Sequence, residues 1–81
     1  MDAEPFQLSI TPNPARGQMT ITTDYEKGKV SVVMINSQGV KVKGFSVKGT
    51  ATVDVSDLPS GLYFVHVIGG KVVTRKVMIQ N

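Results

Sequence analysis

From Gln18 onward, the apolar residues of this chain fall repeatedly on every second position. Met19 and Ile21 do so, then Val30, Val32 and Met34, then Ala51, Val53 and Val55. A period of two marks a strand with one face on a core, because successive side chains of a strand point to opposite faces. No window of helical length carries a 3.6-residue apolar period. Valine, isoleucine and threonine dominate while leucine and alanine are scarce, which favours strands over helices.

Turn residues cut the pattern into seven strands. The first runs from about Phe6 to Thr11, and Pro12-Asn13-Pro14 is expected to end it, since proline cannot donate to a ladder. The others are Gln18 to Thr23, Lys29 to Asn36, Val40 to Val47, Thr50 to Val55, Leu62 to Ile68 and Lys71 to Ile79. Gly39 suits the tight turn after Ser37-Gln38, and Gly44 suggests a bulge or a weak edge within the fourth strand. Pro59 and Gly61 close a corner over Ser56 to Ser60, where Asp57 is expected to bond its own turn backbone. Gly69-Gly70 is a hairpin signal.

Seven short strands at this spacing predict an all-β fold, a seven-stranded immunoglobulin-like antiparallel β-sandwich. With 81 residues the chain makes one domain. Residues 1–5 read as a linker and residues 6–81 as the domain.

Composition narrows the function. There is no Cys, hence neither a disulfide framework nor a thiolate metal site. The nine Lys and Arg residues behind the net charge of +3 are dispersed and do not interleave with the five aromatics, so nucleic-acid binding is not expected. No segment approaches the roughly 20 apolar residues of a membrane span. The opening Met1 to Pro5 lacks the basic and apolar regions of a secretory signal. His66 is the only histidine and stands mid-strand without a second ligand. Asp24 and Glu26 read as a solvated turn, and no Gly-rich loop precedes a helix. Neither catalysis nor a cofactor is expected.

Four short patterns occur in a fixed order. They are Pro12-Asn13-Pro14-Ala15, the stretch Ile35 to Val40 with its turn Gly39, the stretch Val53 to Val65, and Lys76-Val77-Met78-Ile79. Together they resemble the C-terminal sorting domain of type IX secretion cargo from Bacteroidetes-type bacteria, over about Leu8 to Ile79. The family's first motif falls on Pro12, Asn13 and Pro14, and its turn glycine on Gly39. Its Leu-x-x-Gly-x-Tyr element falls on Leu58, Gly61 and Tyr63, and its terminal element on Lys76, Val77 and Ile79. Gln80-Asn81 stands where members often carry a basic residue.

The resemblance implies a sorting signal that takes a larger parent protein, lying N-terminal to it, across the outer membrane by protein–protein recognition. It implies partners among the translocon, shuttle or sortase proteins of the secretion machinery. It also implies export, through the periplasm to the outer-membrane surface or beyond. Each matched residue has a structural role open to it as well: strand stop for the prolines, backbone freedom for the glycines, core or tyrosine corner for Leu58 and Tyr63. The alternative is an extracellular immunoglobulin-like module that binds carbohydrate or protein or serves structure. The absence of Trp counts against a sugar platform.

Two strands are apolar on both faces. Tyr63, Val65 and Val67 oppose Leu62, Phe64 and Ile68, while Val30, Val32 and Met34 oppose Val33 and Ile35. A sandwich strand buries one face only. If these strands are neighbours, their second faces form one docking patch centred on Val33, Ile35, Leu62 and Phe64. The last hairpin admits two registers, and a one-residue slip exchanges its faces. The longer loop, pairing Ile68 with Val72 and Tyr63 with Val77, is preferred because it keeps Lys76 out of the core. An exposed edge strand also offers pairing with a second copy as a homodimer.

Overall fold

The computed structural model describes residues 6–25 and 28–81, so the linker expected at residues 1–5 and the carboxylate of Glu26 lie outside the described residues. Seven strands follow one another: β1 (Leu8–Arg16), β2 (Gln18–Thr23), β3 (Val30–Asn36), β4 (Lys41–Val47), β5 (Thr50–Asp54), β6 (Gly61–Gly69) and β7 (Lys71–Ile79). The described residues include no helix.

The strands form two sheets packed as a sandwich. One has the order β1-β2-β5 and the other β4-β3-β6-β7, each antiparallel within itself. Their inner faces supply the core. Met19 and Ile21 from β2 meet Val30, Val32 and Met34 from β3, Val65 and Val67 from β6, and Val77 and Ile79 from β7, all essentially without solvent access. Each such side chain contributes about 1.5–3 kcal/mol by leaving water. Phe6, just before β1, and Tyr25, just after β2, close one end with an edge-to-face contact at 5.4 Å. The strand order is that of an immunoglobulin-like sandwich in which β4 lies outside β3 rather than beside β5.

β1 does not stop at Pro12-Asn13-Pro14. Leu8 to Thr11 pairs antiparallel with β2, the register breaks between Thr11 and Arg16, and Ala15 then pairs parallel with Ile79 of β7. Both X-Pro bonds, Thr11-Pro12 and Asn13-Pro14, are cis. The prolines end the ladder to β2, for want of an N–H, but the strand itself continues and changes sheets. The tripeptide is a crossing point, and it brings the N-terminal motif beside the C-terminal one.

Two local expectations are settled, the second as a correction. Gly44 pairs in register with Val33, and the extra residue of β4 is Val42, between Lys43 opposite Met34 and Lys41 opposite Ile35. A Cβ on Gly44 would come within 2.8 Å of Lys41 Cε, so this glycine makes room for a lysine stem lying along the sheet. β4 is an edge strand, as a weak edge there requires. At the β5–β6 corner, Asp54 rather than Asp57 bonds the turn. Asp54 Oδ1 accepts from the Ser56 backbone N–H at 2.9 Å and from Ser56 Oγ at 2.6 Å. Asp57 pairs with Lys43 Nζ at 3.2 Å, an exposed contact of small energetic weight.

Candidate functional site

The β6–β7 hairpin takes the longer-loop register. Ile68 pairs with Val72, Tyr63 with Val77 and Phe64 with Lys76, so Val77 faces the core and Lys76 faces water. β3 lies beside β6, with Ile35 opposite Phe64 and Val33 opposite His66. The outer face of this sheet is therefore a grid. One row reads Lys41, Ile35, Phe64, Lys76; the next reads Gly44, Val33, His66, Thr74; a third reads Ser46, Ser31, Ile68, Val72. Leu62 and Met78 continue the grid past Phe64 and Lys76.

Val33, Ile35, Leu62 and Phe64 thus stand together on one outward face, each half-buried by its neighbours. The most exposed apolar side chains of this face lie further along it: Val72 at 58%, Ile68 at 40% and Met78 at 39%. Val72 and Met78, both on β7, widen this face beyond the patch read from β3 and β6 alone. His66 sits mid-grid with Nδ1 2.9 Å from Thr74 Oγ1.

The outer face of the other sheet has opposite character. Ser9, Thr22 and Thr50 stand in one row and Thr11, Thr20 and Thr52 in the next. The hydroxyls of Thr20 and Thr52 bond at 3.2 Å and those of Thr22 and Thr50 at 3.1 Å. One face of the sandwich is hydroxyl-lined and the other apolar. Charge divides similarly. Lys41 and Lys76 end the same row of the apolar face, and none of the described carboxylates stands in that grid. Asp24 follows β2 and accepts the Gln7 N–H at 2.6 Å, Asp54 ends β5, and Asp57 lies in the corner after it. The paired Ser56 donors hold the Asp54 carboxyl below the ordinary aspartate range.

The motif residues separate into fold-building and surface groups. Leu58, Tyr63, Val77 and Ile79 are buried. The Tyr63 hydroxyl donates to the Pro59 carbonyl at 2.6 Å, a tyrosine corner at the entry to β6. Gly61 opens β6 opposite Ile79. Gly39, at φ +82°, completes a turn built on Asn36, whose Oδ1 accepts the N–H groups of Gln38 at 2.9 Å and Val40 at 3.0 Å. A left-handed φ of this kind favours glycine.

Pro12, Asn13, Pro14 and Lys76 are exposed, and the Asn13 side chain reaches the backbone of β7 at Lys76 and Met78. Asn13 Oδ1 accepts the Met78 N–H at 3.0 Å, and Asn13 Nδ2 donates to the Lys76 carbonyl at 3.4 Å. Asn81, at the position that departs from the family pattern, anchors the same end of the sheet. Its Nδ2 donates to the carbonyls of Val55 at 2.8 Å and Leu58 at 2.7 Å, and its Oδ1 accepts the Gly17 N–H at 2.9 Å. Its backbone N–H and carbonyl both engage Ser60 Oγ. Neither asparagine's role has a periodic signal in the sequence, since their partners are up to 65 residues away.

Residues 9–80 match the family model described as the secretion system C-terminal sorting domain. No curated protein matches the chain.

Proposed function

The chain belongs to the family of secretion system C-terminal sorting domains, which are sorting signals for type IX secretion, and we propose that it is read through the apolar outer face of β4-β3-β6-β7. The family is not one of enzymes, and its membership implies an exported parent protein that passes the outer membrane and engages the secretion machinery. The finer reading is ours: the domain acts by recognition without catalysis, in the periplasm first and at the cell surface afterwards.

The observation that supports the face is its composition. Four half-buried apolar residues, Val33, Ile35, Leu62 and Phe64, adjoin three more exposed ones, Ile68, Val72 and Met78, on a domain whose opposite face is hydroxyl-lined. Contiguous apolar surface on a domain this small marks an interaction site. Lysines at both ends of the Ile35–Phe64 row, with no described carboxylate in the grid, select a partner of complementary charge. That partner is a machinery protein presenting an apolar centre flanked by carboxylates, from among the translocon, shuttle and sortase components.

Phe64→Ser tests the face. In a domain that remains folded, it is expected to lower export of an attached passenger. Unchanged export together with unchanged self-association would remove this face from recognition. Pairing of two copies through the same face is the homodimer outcome, visible as a concentration-dependent mass that Phe64→Ser abolishes.

A further inference from the structure

Pro12-Asn13-Pro14 runs beside a strand it cannot pair with in the ordinary way, because the two prolines have no N–H to donate. The far edge of β7, turned away from β6, presents the Lys76 carbonyl and the Met78 N–H on one side. The carboxamide of Asn13 meets both of them, at 3.4 Å and 3.0 Å. A carboxamide carries one carbonyl acceptor and one N–H₂ donor group, the same pair of functions as a peptide unit. Asn13 therefore makes the ladder step that the prolines remove. Backbone pairing resumes immediately afterwards, with Gln80 N–H donating to the Ala15 carbonyl at 2.9 Å.

This step has two consequences for the outer face. It occupies the edge groups that an incoming strand would otherwise use. It also fixes the backbone from which Lys76 and Met78 project, beside Phe64 and Leu62, their cross-strand partners. We infer that Asn13 is a positioning residue of the sorting signal: it caps the edge of β7 at Lys76 and Met78 and holds these two residues in the recognised surface, making the first and last motifs one composite epitope. At this step of β7 the signal is then read from side chains, not by addition of a strand. This inference rests on the outer face of β4-β3-β6-β7 being the recognised surface.

The test is export of a periplasmic reporter carrying the full 81-residue chain, in a bacterium with type IX secretion, beside amide exchange and thermal unfolding of the same variants. Asn13→Ala removes both bonds. Ile21→Val trims a fully buried side chain of the other sheet, outside the four motifs, and is the control for lost stability. Loss of the two bonds corresponds to about a thirty-fold rise in local opening of this edge. Asn13→Ala is therefore expected to speed Met78 amide exchange by about that factor and to lower surface display, while Ile21→Val, itself destabilised, displays normally. Asn13→Asp keeps the acceptor for the Met78 N–H but loses the donor to the Lys76 carbonyl. It is expected to fall between wild type and Asn13→Ala, and it carries the test if Asn13→Ala does not fold. Display that tracks melting temperature alone across the variants, or wild-type display of the Asn13 variants, would overturn the inference. Phe64→Ser separates the two readings. Its normal display rejects the face itself, whereas its loss of display beside normal display of Asn13→Ala rejects only the role of Asn13.

Discussion

Replacing Asn81 by alanine should be among the most destabilising changes available at an exposed position of this domain. Its carboxamide takes part in three hydrogen bonds, to the carbonyls of Val55 and Leu58 and from the N–H of Gly17. These bonds tie the corner after β5 and the turn between β1 and β2 to the end of β7. The two carbonyl contacts are partly buried and short, so their loss leaves acceptors poorly served by water. At about 1 kcal/mol net for each bond, the loss is about 2–3 kcal/mol. A domain of this size shifts by about 4–8 °C per kcal/mol, which places the fall in melting temperature at about 10–20 °C. Circular dichroism of the thermal transition reads it directly. Urea titration should show a lower midpoint with an unchanged slope, because the surface exposed on unfolding stays the same. A fall of less than about 3 °C would show that water replaces these bonds without cost and would refute the reasoning. Asn81→Asp should be no milder, since it turns a carboxylate oxygen toward two carbonyl oxygens.

Three further outcomes follow from the packing. Tyr63→Phe loses the bond to the Pro59 carbonyl and should cost about 1–2 kcal/mol in chemical denaturation. Gly69→Ala would set a Cβ 2.9 Å from Val30 Cγ1 and 3.0 Å from the Tyr25 ring, and overpacking of this kind should cost about 1–3 kcal/mol by the same assay. Asp54 has a lowered folded-state pKa, first through the Ser56 side chain and then through its backbone N–H. Its contribution to stability is thus present above the unfolded carboxylate range and fades as pH falls through the lower folded value. Carboxyl chemical shifts followed against pH should place Asp54 below an ordinary aspartate, and Ser56→Ala should bring it back toward one.

Much of this fold is written in alternation and turn chemistry. The β6–β7 register follows from keeping Lys76 out of the core, and Tyr63 falls at its corner because Pro59 stands four residues before it. The adjacency of β3 and β6, which assembles Val33, Ile35, Leu62 and Phe64, follows from the immunoglobulin-like order. What could not be read are interactions made once, across long separations. Pro12-Asn13-Pro14 reads locally as a strand stop, and only the neighbouring β7 shows it to be a crossing point. Asn81 reads as a departure from a pattern until the three partners of its carboxamide are seen. The bulge sits at Val42 rather than Gly44, because Gly44 accommodates the Lys41 stem instead of relaxing the ladder. The apolar face is wider than the patch read from β3 and β6 alone, because the hairpin register adds Val72 beside Ile68 and Met78 beside Leu62.

The most direct measurement is transfer of the signal. The full chain would be joined to the C-terminus of a periplasmic reporter in a bacterium with type IX secretion, and the reporter would be located by surface labelling of intact cells. The account predicts a labelled reporter at the surface, and a reporter lacking the domain that stays in the periplasm. A reporter held in the periplasm despite a folded domain would contradict it.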